Sequence, residues 1–305
     1  MTDPGIGGSS VDGMTRNGNG PEPTPTAGTV QVPRRQLLTM AAAGTVGLLS
    51  APTWSAAQPR YDFSNPADNL QAFVKITGDL TGRETYQWSS GRLFGSTPGN
   101  LAKPLADFQA CRKQQYLKVA DGYRCLYRGM IIFFELQSEN VLRVFDNPYT
   151  DKRNDVTHYR TQLSEYTITP QGYRGGITEI GESGVPRKAP FLLDWTVAGD
   201  DVWVSHDERL KYTRPGGGNV RIDNLLSQYH CRFDELNDTG LSSVRCDLSW
   251  RAELTWFPWM GMDGHPGHIF WGGMGRNYHE IDDLPDRLLT AVDALWPGAL
   301  SQPLI

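Results

Sequence analysis

A second apolar run is what the mature part of this chain lacks. In its 305 residues no stretch reaches the roughly 20 apolar residues a helix needs to cross a bilayer, so no stable membrane anchor is expected. Basic charge is also in short supply. There are 29 Lys and Arg against 34 Asp and Glu, a net charge of −5, and the basic residues are scattered among the acids. A domain that binds phosphate backbones shows a clustered basic stripe, so nucleic acid is not an expected partner. The usual catalytic fingerprints are missing too: there is no nucleophile elbow, phosphate-binding glycine loop or dinucleotide fingerprint. Gly216-Gly217-Gly218 follows Pro215 with no helix behind it and reads as a loop. His265 and His268 offer two metal donors where a site needs three or four. Nothing in the spacing brings His206-Asp207-Glu208 or His279-Glu280 to join them. Neither a metal nor another cofactor is expected.

What is present at the start is a transport address. Residues 1–33 are rich in Gly, Pro, Asn, Ser and Thr and have no apolar period, so they cannot offset chain entropy by burial. Arg34 and Arg35 follow, then a short Gly/Ala-rich apolar stretch and the small residues Ser55-Ala56-Ala57. This order is that of a cleavable signal, and the arginine pair points to the twin-arginine (Tat) translocase as the export partner. Pro33 and Leu37 depart from the usual form, which leaves the general secretory route as the alternative. Cleavage after Ala57 would leave 58–305 as one β-rich domain, periplasmic or extracellular. Residues 1–57 hold three charges of each sign, so their loss leaves the net charge at −5.

The rest is a succession of short alternating runs separated by turn residues. They include 71–77, 83–88 and 92–96, then 109–119 with 123–136 around Asp121-Gly122, a pair suited to a tight hairpin. Later runs are 192–197 with 202–210, 227–236 with 243–256, and 269–278. Helical period is clear only from Leu284 to Trp296. The pattern predicts an all-β antiparallel fold with a C-terminal helix. A closed, calycin-like barrel removes unpaired edges and is the first expectation; a two-sheet sandwich is the alternative.

Several motifs resemble the family called domain of unknown function 1838. They are Val144-Phe145-Asp146-Asn147-Pro148-Tyr149-Thr150, Phe73-Val74-Lys75-Ile76 with Gly78-Asp79-Leu80, and Phe257-Pro258-Trp259-Met260-Gly261-Met262 followed by Gly267. The resemblance spans about residues 68–300. It implies a single, often exported domain and no catalytic residues. Asn147-Pro148 also reads by itself as a turn, Asn accepting backbone hydrogen bonds and Pro setting φ.

Cys231 and Cys246 flank Asn237-Asp238-Thr239-Gly240. A hairpin centred between Asp238 and Thr239 sets them opposite each other, at a separation a disulfide accepts. An oxidising compartment would keep such a bridge; the alternative is two buried thiols. A turn at Asp121-Gly122 would pair Cys125 with Lys118 and leave Cys111 several residues away, so these two cysteines read as unpaired core residues.

Two constellations bear on function. Trp250, Trp256, Trp259 and Trp271, with Phe257 and Phe270, fall within 22 residues. Trp250 alternates with Leu248 and Leu254 as core. Trp256, Trp259 and Trp271 could instead line a pocket with His268 and Arg276, Arg276 meeting a carboxylate or phenolate and His268 moving a proton. Against this, Arg276 could simply pair with Glu280 or Asp282. In the hairpin register His230 faces Asp247, a couple able to serve as acid and base, or else a solvated ion pair. His206 would face Asp194 only across a three-residue loop. The expected function is therefore binding of a small apolar or aromatic molecule in a β-barrel cavity. The alternatives are a cofactor-free lyase, isomerase or cyclase using a His/Asp couple there, and an interaction protein without a ligand.

Overall fold

Residues 60–174, 190–213 and 220–305 are described by a computed structural model, apart from the side chains of 208–213 and 220–223. Residues 1–57, expected to be a signal segment with Arg34 and Arg35, and Gly216–Gly218 lie outside the described residues.

The first element corrects the reading of 71–77 as a strand: α1 is a helix, Pro66–Thr77. Asn65 caps it by accepting the Ala67 N–H at 2.9 Å, Pro66 stands in its first turn with Asp68, and Lys75 in its last. These terminal signals suit a helix and its dipole, and they outweigh the β-branched Val74, Ile76 and Thr77. Lys75 is fully buried and donates to the carbonyls of Glu235 (3.1 Å), Leu236 (2.8 Å) and Asp238 (2.6 Å). It thereby ties α1 to the end of a short helix, α2 (Phe233–Asn237). Burial pushes its pKa down to about 8.

Antiparallel strands make up most of the remaining described chain: β1 (Thr85–Ser96), β2 (Lys103–Val119), β3 (Gly122–Phe134), β4 (Val144–Asp146), β5 (Arg153–Asp155), β6 (Tyr159–Arg160), β7 (Ser164–Thr169) and β8 (Gly172–Arg174). The second group is β9 (Asp194–Ala198), β10 (Asp201–Thr213), β11 (Val220–Arg232), β12 (Asp247–Leu254) and β13 (His268–Tyr278). One 11-stranded sheet runs in the order β8-β7-β3-β2-β1-β13-β12-β11-β10-β9, with β6 also on β3, while β4 and β5 pair apart. The C-terminal helix is α3 (Asp286–Leu295). The fold is thus all-β and antiparallel with a terminal helix.

Barrel closure is not found. Among the described residues β8 and β9, the two ends of the sheet, do not pair. The sheet instead curls until side chains from distant strands touch across its hollow, nearer the sandwich reading. Phe108 on β2 meets Trp250 on β12 with ring centroids 5.4 Å apart, and Tyr173 on β8 meets His206 on β10 at 3.0 Å. Terminal strands of three and five residues give short edges, so little hydrogen bonding is forfeited by leaving them unjoined. Beside the seam of β1 and β13 only glycine fits: a Cβ on Gly275 would lie 1.8 Å from the Trp88 carbonyl oxygen, and one on Gly91 1.9 Å from that of Gly272.

Register decides which side chains share the hollow. β11 and β12 pair His230 with Asp247, as the hairpin centred on 238–239 requires, but α2 and a loop form the connection instead of a tight turn. Cys231 and Cys246 remain buried free thiols, correcting the expected bridge. The ladder stops at His230–Asp247, one step short of them, because the chain turns into α2 after Arg232. Cys111 and Cys125 are free and buried as well. Between β2 and β3, Val119 pairs with Gly122, so Cys125 faces Tyr116 and not Lys118. Ala198 pairs with Asp201 across two residues, which places Ser205, not His206, opposite Asp194.

Three apolar clusters result from this alternation. Inside the curl, one gathers Phe73 of α1, Tyr116, Cys125, Ile168, Val204 and Tyr229. A second, toward the other end, gathers Phe108, Phe133, Phe145, Phe257, Trp259 and Trp271. The third lies on the outer face, where Leu284, Leu288, Ala291 and Val292 at or in α3 cover Tyr86, Met130, Ile132 and Phe134. Each fully buried Leu there contributes about 2 kcal/mol.

Candidate functional site

Between the two inner clusters the curl leaves a cavity of about 460 Å³. The long strands contribute to its wall mainly through residues of one parity: Ala110, Arg112, Gln114 and Tyr116 from β2, Tyr127, Gly129 and Ile131 from β3, Leu225, Ser227 and Tyr229 from β11, Leu248, Trp250, Ala252 and Leu254 from β12, with Cys111 and Met130 of the other parity reaching it between them. Gln87 and Ser89 of β1, Trp271 of β13, Tyr166, Tyr173 and His206 complete it, and Phe73 and Thr77 of α1 close one end. The wall is mainly apolar and aromatic, with a few polar groups, as a small-molecule site needs.

The polar groups concentrate around Arg112. Its guanidinium lies 4.1 Å from the centre of the Tyr127 ring, and Nη2 donates to the Tyr166 hydroxyl at 2.8 Å and approaches the Cys125 sulfur at 3.7 Å. Nε is buried without an acceptor among the described residues. No carboxylate among the described residues lies within ion-pair distance of it. The nearby phenols do not neutralise it either, because burial pushes both Tyr116 and Tyr166 well above the ordinary range and keeps them protonated. Guanidinium itself stays charged throughout the accessible pH range. Arg112 is enclosed by protein on most sides but retains some open surface, and the cavity is where that surface lies. Elsewhere in the wall His206 Nε2 meets the Tyr173 hydroxyl at 3.0 Å, with the two rings stacked 5.9 Å apart.

The residues singled out in the sequence are distributed differently. Trp271 lines the cavity. Trp256 and Trp259 belong to the apolar cluster beyond it, Trp259 packed on Phe133 at 5.2 Å and on Phe145 at 5.3 Å. That cluster is where two of the family-like motifs, 144–150 and 257–262, meet, while Phe73, Val74 and Ile76 of the other belong to the first cluster. Asn147 accepts the Tyr149 N–H at 2.8 Å, as a turn former should, and donates to the Met260 carbonyl at 2.6 Å. Tyr149 packs edge-on against Trp256 and donates to the Gly95 carbonyl at 2.8 Å. These motifs act as a plug at one end of the curl.

Asp247, His268 and Arg276 carry the opposite parity from Trp250, Trp271 and Leu248, and so stand on the outer face. There Arg276 is 3.5 Å from Asp247, and not beside Glu280 or Asp282, while His268 is 3.5 Å from Glu253. His230 faces Asp247 in register, yet its Nε2 reaches Asp201 at 3.0 Å and its ring stacks on Trp203 at 5.0 Å. His268 and Arg276 are eight residues apart on one strand, about 27 Å at 3.4 Å per residue. The structure does not gather them with the tryptophans at one rim.

Arg112 and its tyrosines escaped the sequence reading. A signal was present: Phe108, Ala110, Arg112, Gln114 and Tyr116 alternate on one face of β2, and a lone cation in an aromatic series asks what it faces. The partners come from β3 and β7, whose pairing only the sheet order reveals.

The family model described as Protein of unknown function (DUF1838) matches residues 82–302. The chain belongs to this family. No curated protein matches it.

Proposed function

We propose that this member of the DUF1838 family binds a small apolar or aromatic molecule in the hollow of its curled sheet. The observation that carries the reading is the cavity itself, about 460 Å³ and walled by aromatic and aliphatic side chains from both halves of the sheet. Such a void is large enough to shelter a ligand of modest size and costs stability while empty. The sequence adds an export signal with Arg34 and Arg35, so the proposed place of action is the periplasm or the outside of the cell, after transfer by the Tat translocase. Fractionation of cells producing a precursor with Lys at both positions checks that part: secretion undiminished by the change would remove it.

The alternative of a cofactor-free lyase, isomerase or cyclase requires a proton-transfer couple inside the hollow. His230 and Asp247 stand on the outer face, which favours the binder; His206 with Tyr173 is the pair within the wall that the alternative would use.

The binding reading is tested with N-phenyl-1-naphthylamine, an uncharged fluorescent probe. It should bind saturably, at one equivalent, with the blue shift of an apolar surrounding. Ala110→Trp, which puts an indole into the cavity, should weaken binding at least about tenfold, whereas Arg276→Ala and His268→Ala on the outer face should leave it unchanged. Equal binding by Ala110→Trp, with the fold intact by circular dichroism, would sink the proposal.

A further inference from the structure

A cation enclosed in protein is unfavourable unless paired, because removing it from water forfeits hydration that only an opposite charge or several acceptors restore. Buried basic residues elsewhere in this protein obey that rule. Lys75 reaches three carbonyls, and Lys113 reaches Glu84 at 2.8 Å with two carbonyls besides. Arg112 does not. Among the described residues its hydrogen bonds run from Nη2 alone, to a neutral hydroxyl and a thiol, and Nε has none. Tyr127 beneath the guanidinium plane gives attraction through its π face but accepts no hydrogen bond in the plane of the donors. The incomplete shell opens on a cavity with no carboxylate among its lining residues and with walls that are mainly apolar and otherwise carry only a few polar groups.

Resting on the proposed binding in the hollow, we infer that the ligand is a carboxylate with an apolar body, its head seated on Arg112 beside Tyr166 and its body among Leu225, Trp250 and Trp271. A planar carboxylate matches the fork of a guanidinium and supplies the missing charge. The Tyr166 hydroxyl accepts from Nη2 and shares a hydrogen bond with the Tyr116 hydroxyl; on binding, its proton turns to the second carboxylate oxygen. A neutral molecule of the same shape would leave Arg112 as uncompensated as before. A dianion such as a phosphate monoester would bring a second charge into an apolar hollow with one guanidinium at its wall. A monoanion balances it.

The experiment displaces bound N-phenyl-1-naphthylamine with dodecanoate or with dodecanamide at pH 7.5, a pair that differs in charge but hardly in shape. The wild-type protein should prefer the acid by at least about tenfold, the scale of a charge-assisted pair in a sheltered site. In Arg112→Gln the preference should collapse to within about threefold, through weaker acid binding, with dodecanamide displacing the probe as it does from wild type. Unchanged amide binding shows that the cavity has survived the substitution, and Arg112→Lys should restore part of the preference. Equal displacement by acid and amide in the wild type, or a preference that survives in Arg112→Gln, overturns the inference and leaves lumenal binding standing. Failure of the wild type to bind the probe at all overturns both.

Discussion

Arg112 and Lys113 are neighbours on one strand, and the pleat sends them to opposite faces of the sheet. Lys113 goes outward, beneath the C-terminal segment, and is 1% exposed. It meets the Glu84 carboxylate at 2.8 Å and the carbonyls of Leu300 and Gln302 at 3.0 and 2.9 Å. Arg112 goes inward and finds phenols, a thiol and a void. The two cations differ by one position in sequence and entirely in how they are compensated. Where the fold uses a buried charge as a fastener, it completes the shell; where it leaves the shell incomplete, a ligand is the economical explanation.

Breaking the outer fastener should have the largest effect on stability. Glu84→Gln leaves Lys113 buried without its anion and should cost about 3 kcal/mol, somewhat less to the extent that water reaches Glu84. Urea unfolding reads this directly. A loss below about 0.5 kcal/mol would mean that the carbonyls alone suffice and that the contrast is overstated.

A neutral buried group sharpens the same comparison. His158 accepts the Phe133 N–H at Nδ1, 3.2 Å away, and burial, with the nearby Arg143 charge second, pushes its pKa down to about 4. Between the ordinary value near 6.5 and that value the unfolded chain binds a proton which the folded one refuses. Its contribution is therefore fully present above pH 6.5 and is lost as pH falls toward 4, by about 2 kcal/mol after allowance for partial exposure. Melts of wild type and His158→Gln across that window should diverge; parallel curves would show that the ring is protonated at no cost.

Smallest in stability is the change at the inner cation. Arg112→Met exchanges an incompletely paired charge for an apolar side chain of similar length and should alter stability by less than about 1 kcal/mol, in either direction. A loss matching that of Glu84→Gln would make Arg112 a fastener as well, and the contrast between the two faces would fail.

The motifs and the aromatic patch were legible because they depend on nearby residues. Asn147 forms the turn its side chain permits, and the register of His230 with Asp247 follows from counting about a local centre. The same counting misled at β2–β3, where the turn falls on Ala120-Asp121 and not Asp121-Gly122, so that Cys125 faces Tyr116 in place of Lys118. It misled again at Cys231 and Cys246, where a helix took the place of a turn. Helix α1 was missed because its apolar residues are buried on more than one side, which blurs the helical period, whereas its caps are informative only once read as caps.

By itself the sequence determined the all-β antiparallel class, the terminal helix and the family, since alternation, turn residues and short motifs are local properties of a chain. It also determined that Arg112 and Lys113 must part company at the pleat. Only the tertiary structure decided which face is the hollow, and hence that Arg276, His268, His230 and Asp247 stand outside while Arg112 stands within. That choice belongs to the curl of the whole sheet and to the helices packed on it. A period of two says which residues share a face, and carries no information about what the face encloses.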